Sequence, residues 1–279
     1  MTGQLKNIFV PVNFSESSDS AIYTAVAMCR RHGAHLHLVH IEPESIFNYY
    51  PRRGLYISLN MLKPEVEEAI RLEKRAQEIR ETNHINCFFH TGTGIYHEVL
   101  AAKAKDFYCD LIILQKNSHP HRLALSEHSV YKILKHVSCP VLTIPSGKWA
   151  LYFKNIFYPV RPIQTAMQKF EVALPIIRRN EAKVSLFAAL KSLSEMSIAE
   201  KFIKRVDHLL SKDKIKIETE INSSNDAAKQ VVKRAVEKNS DLIIISATIK
   251  SGFKSLFTHN YTERVINNSP IPVLSVKSS

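Results

Sequence analysis

The sequence predicts two tandem α/β domains, each a doubly wound, five-stranded parallel sheet with helices on both faces. Three observations carry this prediction. The chain repeats itself: "KNIFVPV" (Lys6–Val12) returns as "KNIFYPV" (Lys154–Val160), "DLIIL" (Asp110–Leu114) as "DLIII" (Asp241–Ile245), and "PVLTI" (Pro140–Ile144) as "PVLSV" (Pro272–Val276). Each copy alternates short, continuously apolar runs with longer amphipathic segments, the pattern of parallel strands buried between crossover helices. The length, 279 residues with 45% hydrophobic, suffices for two domains with cores of their own.

In the first copy "NIFVPV" is the first strand. The helix after it has Ser15 or Ser17 as N-cap, Arg30 and Arg31 in its last turn, and Gly33 as a stop. "AHLHLVHI" follows as second strand, Pro64–Thr82 as a charged amphipathic helix, "INCFFHT" as third strand and Ile95–Asp106 as third helix. The fourth and fifth strands are "DLIIL" and "PVLTI", with a helix between. The second copy repeats the order, with helices near Thr165–Asn180, Glu195–Ser211, Asn225–Asn239 and Thr258–Asn268. The boundaries that follow are 1–147 and 148–279, joined by the short linker Pro145–Phe153. The repeat offset is 148 at the first strands and 131 at the fourth, so the first copy carries 17 extra residues. They fall around "SIFNYYPRRGLYISLN" (Ser45–Asn60), rich in Tyr, Phe and Arg. Coming after the second strand, this insertion belongs at the carboxyl edge of the sheet, where ligands bind in such folds. It reads equally as a lid, a partner-binding patch or extra packing against the neighbouring copy.

Net charge is +12, with 16 Lys+Arg against 14 Asp+Glu in residues 1–147 and 22 against 12 in the remainder. The lysines of the basic half are scattered, without arginine–aromatic clusters, so a solvated surface is expected and not a nucleic-acid site. No apolar run reaches eighteen residues and no secretory leader opens the chain, which points to a cytoplasmic protein with no membrane span. Cys29, Cys87, Cys109 and Cys139 have no metal-ligand spacing and sit in apolar contexts, as reduced core thiols do.

"IFVPVNFSESS", "LVHIEP", "CDLIILQ" and "SCPVLTIP", with "IFYPVRP", "SDLIIIS" and "SPIPVLSV" in the second copy, resemble universal stress proteins over essentially the whole chain. The resemblance implies a Rossmann-like fold and a pseudo-two-fold pairing of the copies through their last strands. It also implies a non-enzymatic role in stress response or regulation, exerted through protein contacts. A further homodimer stays open. In the ATP-binding branch of the family an Asp follows the first strand, and a Gly-x2-Gly-x9-Gly-Ser/Thr loop follows the fourth. Here Asn13 and Arg161 stand at the Asp position, and Glu127-His128 and His259-Asn260 where Gly-Ser closes the loop. Ile249 takes a glycine position, where a β-branched residue resists positive φ, and Glu127 would bring a carboxylate towards phosphate. The resemblance therefore implies a degenerate ATP site and no cofactor. The alternative is a nucleotide or small anion in the first copy's cleft, lined by Val12, Asn13, Ser15, Ile41, Gln115 and His128.

Other constellations read blandly. His35 and His37 share one strand face and His40 points to the other, but no third ligand can be assigned to the pair. His119, His121 and His128 read as an exposed polar loop, and "TGTG" (Thr91–Gly94) as a strand-to-helix turn. Ser15 is explained by capping, with no His/Asp partner placed by spacing. No metal site and no catalytic residue is expected.

Overall fold

Ile8, Phe9 and Val10 are closed to solvent. A run apolar at every position has no wet face and is stable only in a sheet covered on both sides. The computed structural model places it so, as β1 (Asn7–Pro11). It describes residues 4–14, 16–42, 63–116, 130–145, 151–161, 166–190, 193–223, 226–247 and 261–277. The insertion Ser45–Asn60, the Ser15 cap, the loop histidines His119, His121 and His128, and the loop residues Glu127, Ile249, His259 and Asn260 lie outside the described residues.

The first copy continues with α1 (Glu16–His32), β2 (His35–Glu42), α2 (Lys63–Asn83), β3 (Cys87–Thr93), α3 (Tyr96–Asp106), β4 (Leu111–Gln115), α4 (Val130–His136) and β5 (Val141–Ile144). The second repeats it as β6 (Asn155–Val160), α5 (Ala166–Arg179), β7 (Lys183–Leu190), α6 (Leu193–Ser211), β8 (Ile217–Ser223), α7 (Ala227–Glu237), β9 (Leu242–Ala247), α8 (Tyr261–Asn268) and β10 (Val273–Lys277). Gly33 stops α1 with φ 66°, as read from the sequence.

All strands among the described residues join one 10-stranded sheet in the order β3-β2-β1-β4-β5-β10-β9-β6-β7-β8. Pairing is parallel within each copy, as in β1 with β2 and β6 with β7. Between copies β5 and β10 run antiparallel, with Thr143 opposite Val273, Leu142 opposite Leu274 and Val141 opposite Ser275. Exchanging the copies maps this register onto itself, so the pseudo-two-fold passes through the Leu142–Leu274 pair. The pairing leaves neither last strand as an open apolar edge, a standing risk for aggregation. One core, with α1, α2, α5 and α6, covers one face of the sheet; a second, with α3, α4, α7 and α8, covers the other.

The structure explains why "KNIF" and "DLII" recur together. The Asp110 carboxylate accepts from the backbone N–H of Lys6 (2.8 Å) and Asn7 (2.9 Å), fastening the start of β4 to that of β1. Asp241 does the same for Lys154 (2.8 Å) and Asn155 (3.0 Å). Backbone donors at a strand entrance need an acceptor, and a carboxylate serves two at once.

Two lysines brace the junction of the copies. Lys116 Nζ donates to the carbonyls of Asn267 (2.6 Å) and Ser269 (3.0 Å), at the end of α8. Lys277 Nζ donates to those of Lys135 (3.0 Å) and Val137 (3.3 Å), at the end of α4. A cation at a helix C-terminus satisfies orphan carbonyls and complements the helix dipole.

Candidate functional site

In each copy the strand order reverses beside the first strand, and the crevice beyond the carboxyl ends of β1 and β4 is where ligands lodge in such sheets. Val12 is buried there, its N–H donating to Val39 O at 2.8 Å. Asn13 stands exposed at the mouth. Phe14 has φ 55°, turning the chain sharply, and its ring meets that of His40 at 5.0 Å with the Arg71 guanidinium on it at 4.5 Å. Ile41 points to the opposite face of the sheet, into the core with Phe9, Ile112 and Leu114. Gln115 ends β4 opposite Ile144, and its buried Oε1 has no hydrogen-bond partner among the described residues. Val12, Asn13 and Gln115 therefore gather at the carboxyl edge of β1 and β4. Ile41 shares the edge but turns its side chain into the core.

The second crevice is furnished differently. Arg161, at the counterpart of Asn13, lies over the ring of Tyr261 at 4.9 Å. Lys169 of α5 is buried, and its Nζ donates to Ala247 O at the end of β9 (3.5 Å). Burial, and then the charge of Arg161, push the Lys169 ammonium below its ordinary pKa. The Tyr261 phenol is raised by burial.

The histidine pair of β2 finds a neighbour that the sequence did not reveal. His37 Nδ1 meets His90 Nε2 of β3 at 2.9 Å, and His37 Nε2 faces Asn7 Oδ1 at 3.3 Å. Asn7 Oδ1 only accepts, so His37 donates through Nε2–H and accepts from His90 at Nδ1. The His37 ring stacks on Phe9 at 4.7 Å, and His90 packs on Phe107 at 4.2 Å. Both imidazoles are held below their ordinary pKa, chiefly by burial. This is a packed aromatic layer, and His35 instead bonds Asn86 (3.1 Å).

A second group was also missed. His40 of β2, Glu42 two residues on, and Glu68 of α2 bring one donor atom each within 4.8 Å of one another. Alternation along β2 places His40 and Glu42 on one face, a signal present in the sequence; Glu68 arrives from beyond the insertion. The "TGTG" turn is structural: a Cβ on Gly92 would stand 2.6 Å from Val99 Cγ1, and Gly94 has φ 136°. All four cysteines are free, with Cys109 and Cys139 Sγ atoms 3.7 Å apart.

The sequence profile described as "Universal stress protein family" matches residues 4–145 and again 153–277. The chain belongs to that family. Among solved structures it is similar to a universal stress protein from Archaeoglobus fulgidus DSM 4304, at TM-score 0.78 and 14% identity over 99% of this chain and 97% of that one. It is also similar to a functionally unknown protein from Pseudomonas aeruginosa PAO1, at TM-score 0.69 and 16% identity over 98% and 92% of the two chains. At these identities the likeness speaks for the fold alone. No individually curated protein matches the sequence. Among the described residues, no helix of this universal stress protein is long and apolar enough to cross a membrane.

Proposed function

We propose that this tandem universal stress protein is a non-enzymatic, cytoplasmic stress factor that acts through protein contacts and holds no ATP in the family's manner. The observation that carries the reading is the chemistry of the two crevices. Where the ATP-binding branch has an Asp to hold adenosine, the first copy presents an exposed Asn13 and the second an Arg161 stacked on Tyr261. In the second copy the buried Lys169 already spends its ammonium on Ala247 O. Phosphate-cradling backbone amides need glycine, and neither loop supplies it at the family's positions.

One observation favours the rival reading, a nucleotide or small ligand in the first copy. Gln115 Oε1 is buried at the crevice without a partner among the described residues, and a ligand amino group would satisfy it. Thermal melts with millimolar ATP separate the two. Nucleotide at 100 times its dissociation constant stabilises a fold by about 2.7 kcal/mol, and the proposal expects no shift. Asn13→Asp with Glu127→Gly and His128→Ser should recover weak binding. A saturable micromolar response of the unmodified protein would overturn the reading.

A further inference from the structure

We propose that His40, Glu42 and Glu68 form a binding site for one divalent first-row cation, of the Mn2+ to Zn2+ kind, separate from the nucleotide crevice. His40 is 8% exposed, and its Nδ1 lies 2.8 Å from Val12 O. A carbonyl only accepts, so Nδ1 carries a proton and Nε2 is the nitrogen turned towards the carboxylates. That nitrogen is sealed from solvent and faces Glu68 Oε2 at 2.6 Å and Glu42 Oε1 at 4.0 Å, a place that either a proton or a metal ion can fill. Three electron-pair donors thus converge on one point. A histidine fixed by a backbone carbonyl at one nitrogen and turned to carboxylates with the other is the arrangement in which metal-ligating histidines are held.

The surrounding charge leaves room for a cation. Arg71 is seated on the Phe14 ring nearby, one guanidinium against two carboxylates. One imidazole and two carboxylates are borderline-to-hard donors, suited to Mn2+, Fe2+ or Zn2+ and unsuited to Cu+. Metal–ligand bonds of about 2.0–2.2 Å want donors roughly 3–3.5 Å apart. A small rotation of Glu68, whose side chain is 38% exposed, opens its 2.6 Å contact to that range. Three protein donors leave the remaining positions to water.

The placement suggests what the ion does. Glu42 ends β2 and Glu68 lies in α2, so the ion would clip together the two ends of the connection that carries the first copy's insertion. The second copy has Ala188, Leu190 and Ile198 at the matching positions, none of them a donor. One ion per chain is therefore expected, and not two.

Calorimetric titration of chelator-stripped full-length protein with Zn2+ and with Mn2+ tests this. The expected result is one saturable ion per chain for at least one of the metals. Glu68→Gln should weaken it at least ten-fold, and Glu42→Gln/Glu68→Gln should abolish it, with circular dichroism and melting confirming the fold. If the double variant fails to fold, Glu68→Gln alone decides, because that side chain is partly in water. Replacing His119, His121 and His128 together with Ala should leave the affinity unchanged. No saturable binding of either metal overturns the proposal and leaves Nε2 to a proton. So does binding that survives the glutamate changes or disappears with the three loop histidines.

Discussion

Beneath α3 the first copy sets His35, His37, Phe88, His90 and Phe107; at the matching positions beneath α7 the second sets Lys183, Ser185, Glu218, Glu220 and Lys238. Strand register fixes the match, since His37 lies opposite Phe88 just as Ser185 lies opposite Glu218. One backbone arrangement is thus held by stacked rings in one copy and by ion pairs in the other. Glu218 is paired with Lys183 and with Lys238 (3.4 Å), while Arg234 is paired with Glu220 and with Glu237 (2.6 Å). On the opposite face the contrast reverses. Tyr158, Phe170 and Phe202 pack ring to ring, 5.0–6.0 Å apart, where the first copy has Val10, Ile22 and Leu72. Duplication preserved the strand ends and the Asp110 and Asp241 fasteners and left layer chemistry free to diverge, because packing needs volume and satisfied polar atoms more than particular residues.

The largest effect should come where the copies are alike. Val141 and Val273 are buried, related by the pseudo-two-fold, and lie in the two strands that join the copies. An aspartate at either site buries an unpaired carboxylate in a central strand. We expect each of Val141→Asp and Val273→Asp to cost on the order of 4 kcal/mol. By symmetry the two losses should agree within about 1 kcal/mol in urea melts. A loss confined to one of them would mean that the junction is not shared equally.

Acid should then separate the copies. His37 is lowered to about 4 by burial and by its neighbours His90 and His35, and His32 to about 4 by burial and by Arg31 and Arg179. A histidine with a lowered folded pKa refuses protons that the unfolded chain accepts. Its contribution is whole above about 6.5 and is lost as pH falls from there towards 4. After allowing for the part of each ring that water reaches, about 1–2 kcal/mol per histidine is at stake. The counterparts Asn180 and Ser185 do not titrate in this window. Glu218 is lowered, chiefly by Lys183, so its pairs persist until pH falls below the carboxylate range. Hydrogen exchange at pH 7 and pH 5, corrected for intrinsic rates, should show β2 and β3 losing protection while β7 and β8 keep theirs. Equal loss in both would refute the assignment.

These contrasts also mark how far the sequence could be read. The order of strands and helices was legible because the repeated motifs fix the first, fourth and fifth strands of each copy. The predicted helices Ile95–Asp106 and Glu195–Ser211 are observed as Tyr96–Asp106 and Leu193–Ser211. Val12, Asn13 and Gln115 could be placed at the crevice because they sit at strand ends. Ile41 shows the limit, since strand parity, and not distance along the chain, decides which face a side chain meets. Neither the contact of His37 with His90 nor that of His40 with Glu68 was legible. The first depends on the register of β2 against β3, and the second on how α2 is phased after an insertion of unknown path. Periodicity within one element fixes neither.

The smallest effect concerns the ion pairs, and it asks whether they support the second copy at all. Lys183, Glu218 and Lys238 each keep a third or more of the side chain in solvent, and Arg234 nearly as much. Exposed pairs gain little in water and are screened at a Debye length of about 3 Å in 1 M salt. Glu218→Gln removes the negative charge shared by Lys183 and Lys238, so it should lower Tm by about 1–2 °C at low ionic strength. In 1 M NaCl the same substitution should have no measurable effect, because salt has already taken what the mutation removes. The matched change in the first copy, Phe88→Gln, removes an uncharged ring that packs on His37 at 5.1 Å, and its effect should not depend on NaCl. Melting curves of both variants at two salt concentrations give the comparison directly. A salt-independent loss for Glu218→Gln would mean that its methylenes and not its charge hold the layer, and the two copies would then differ less than their residues suggest.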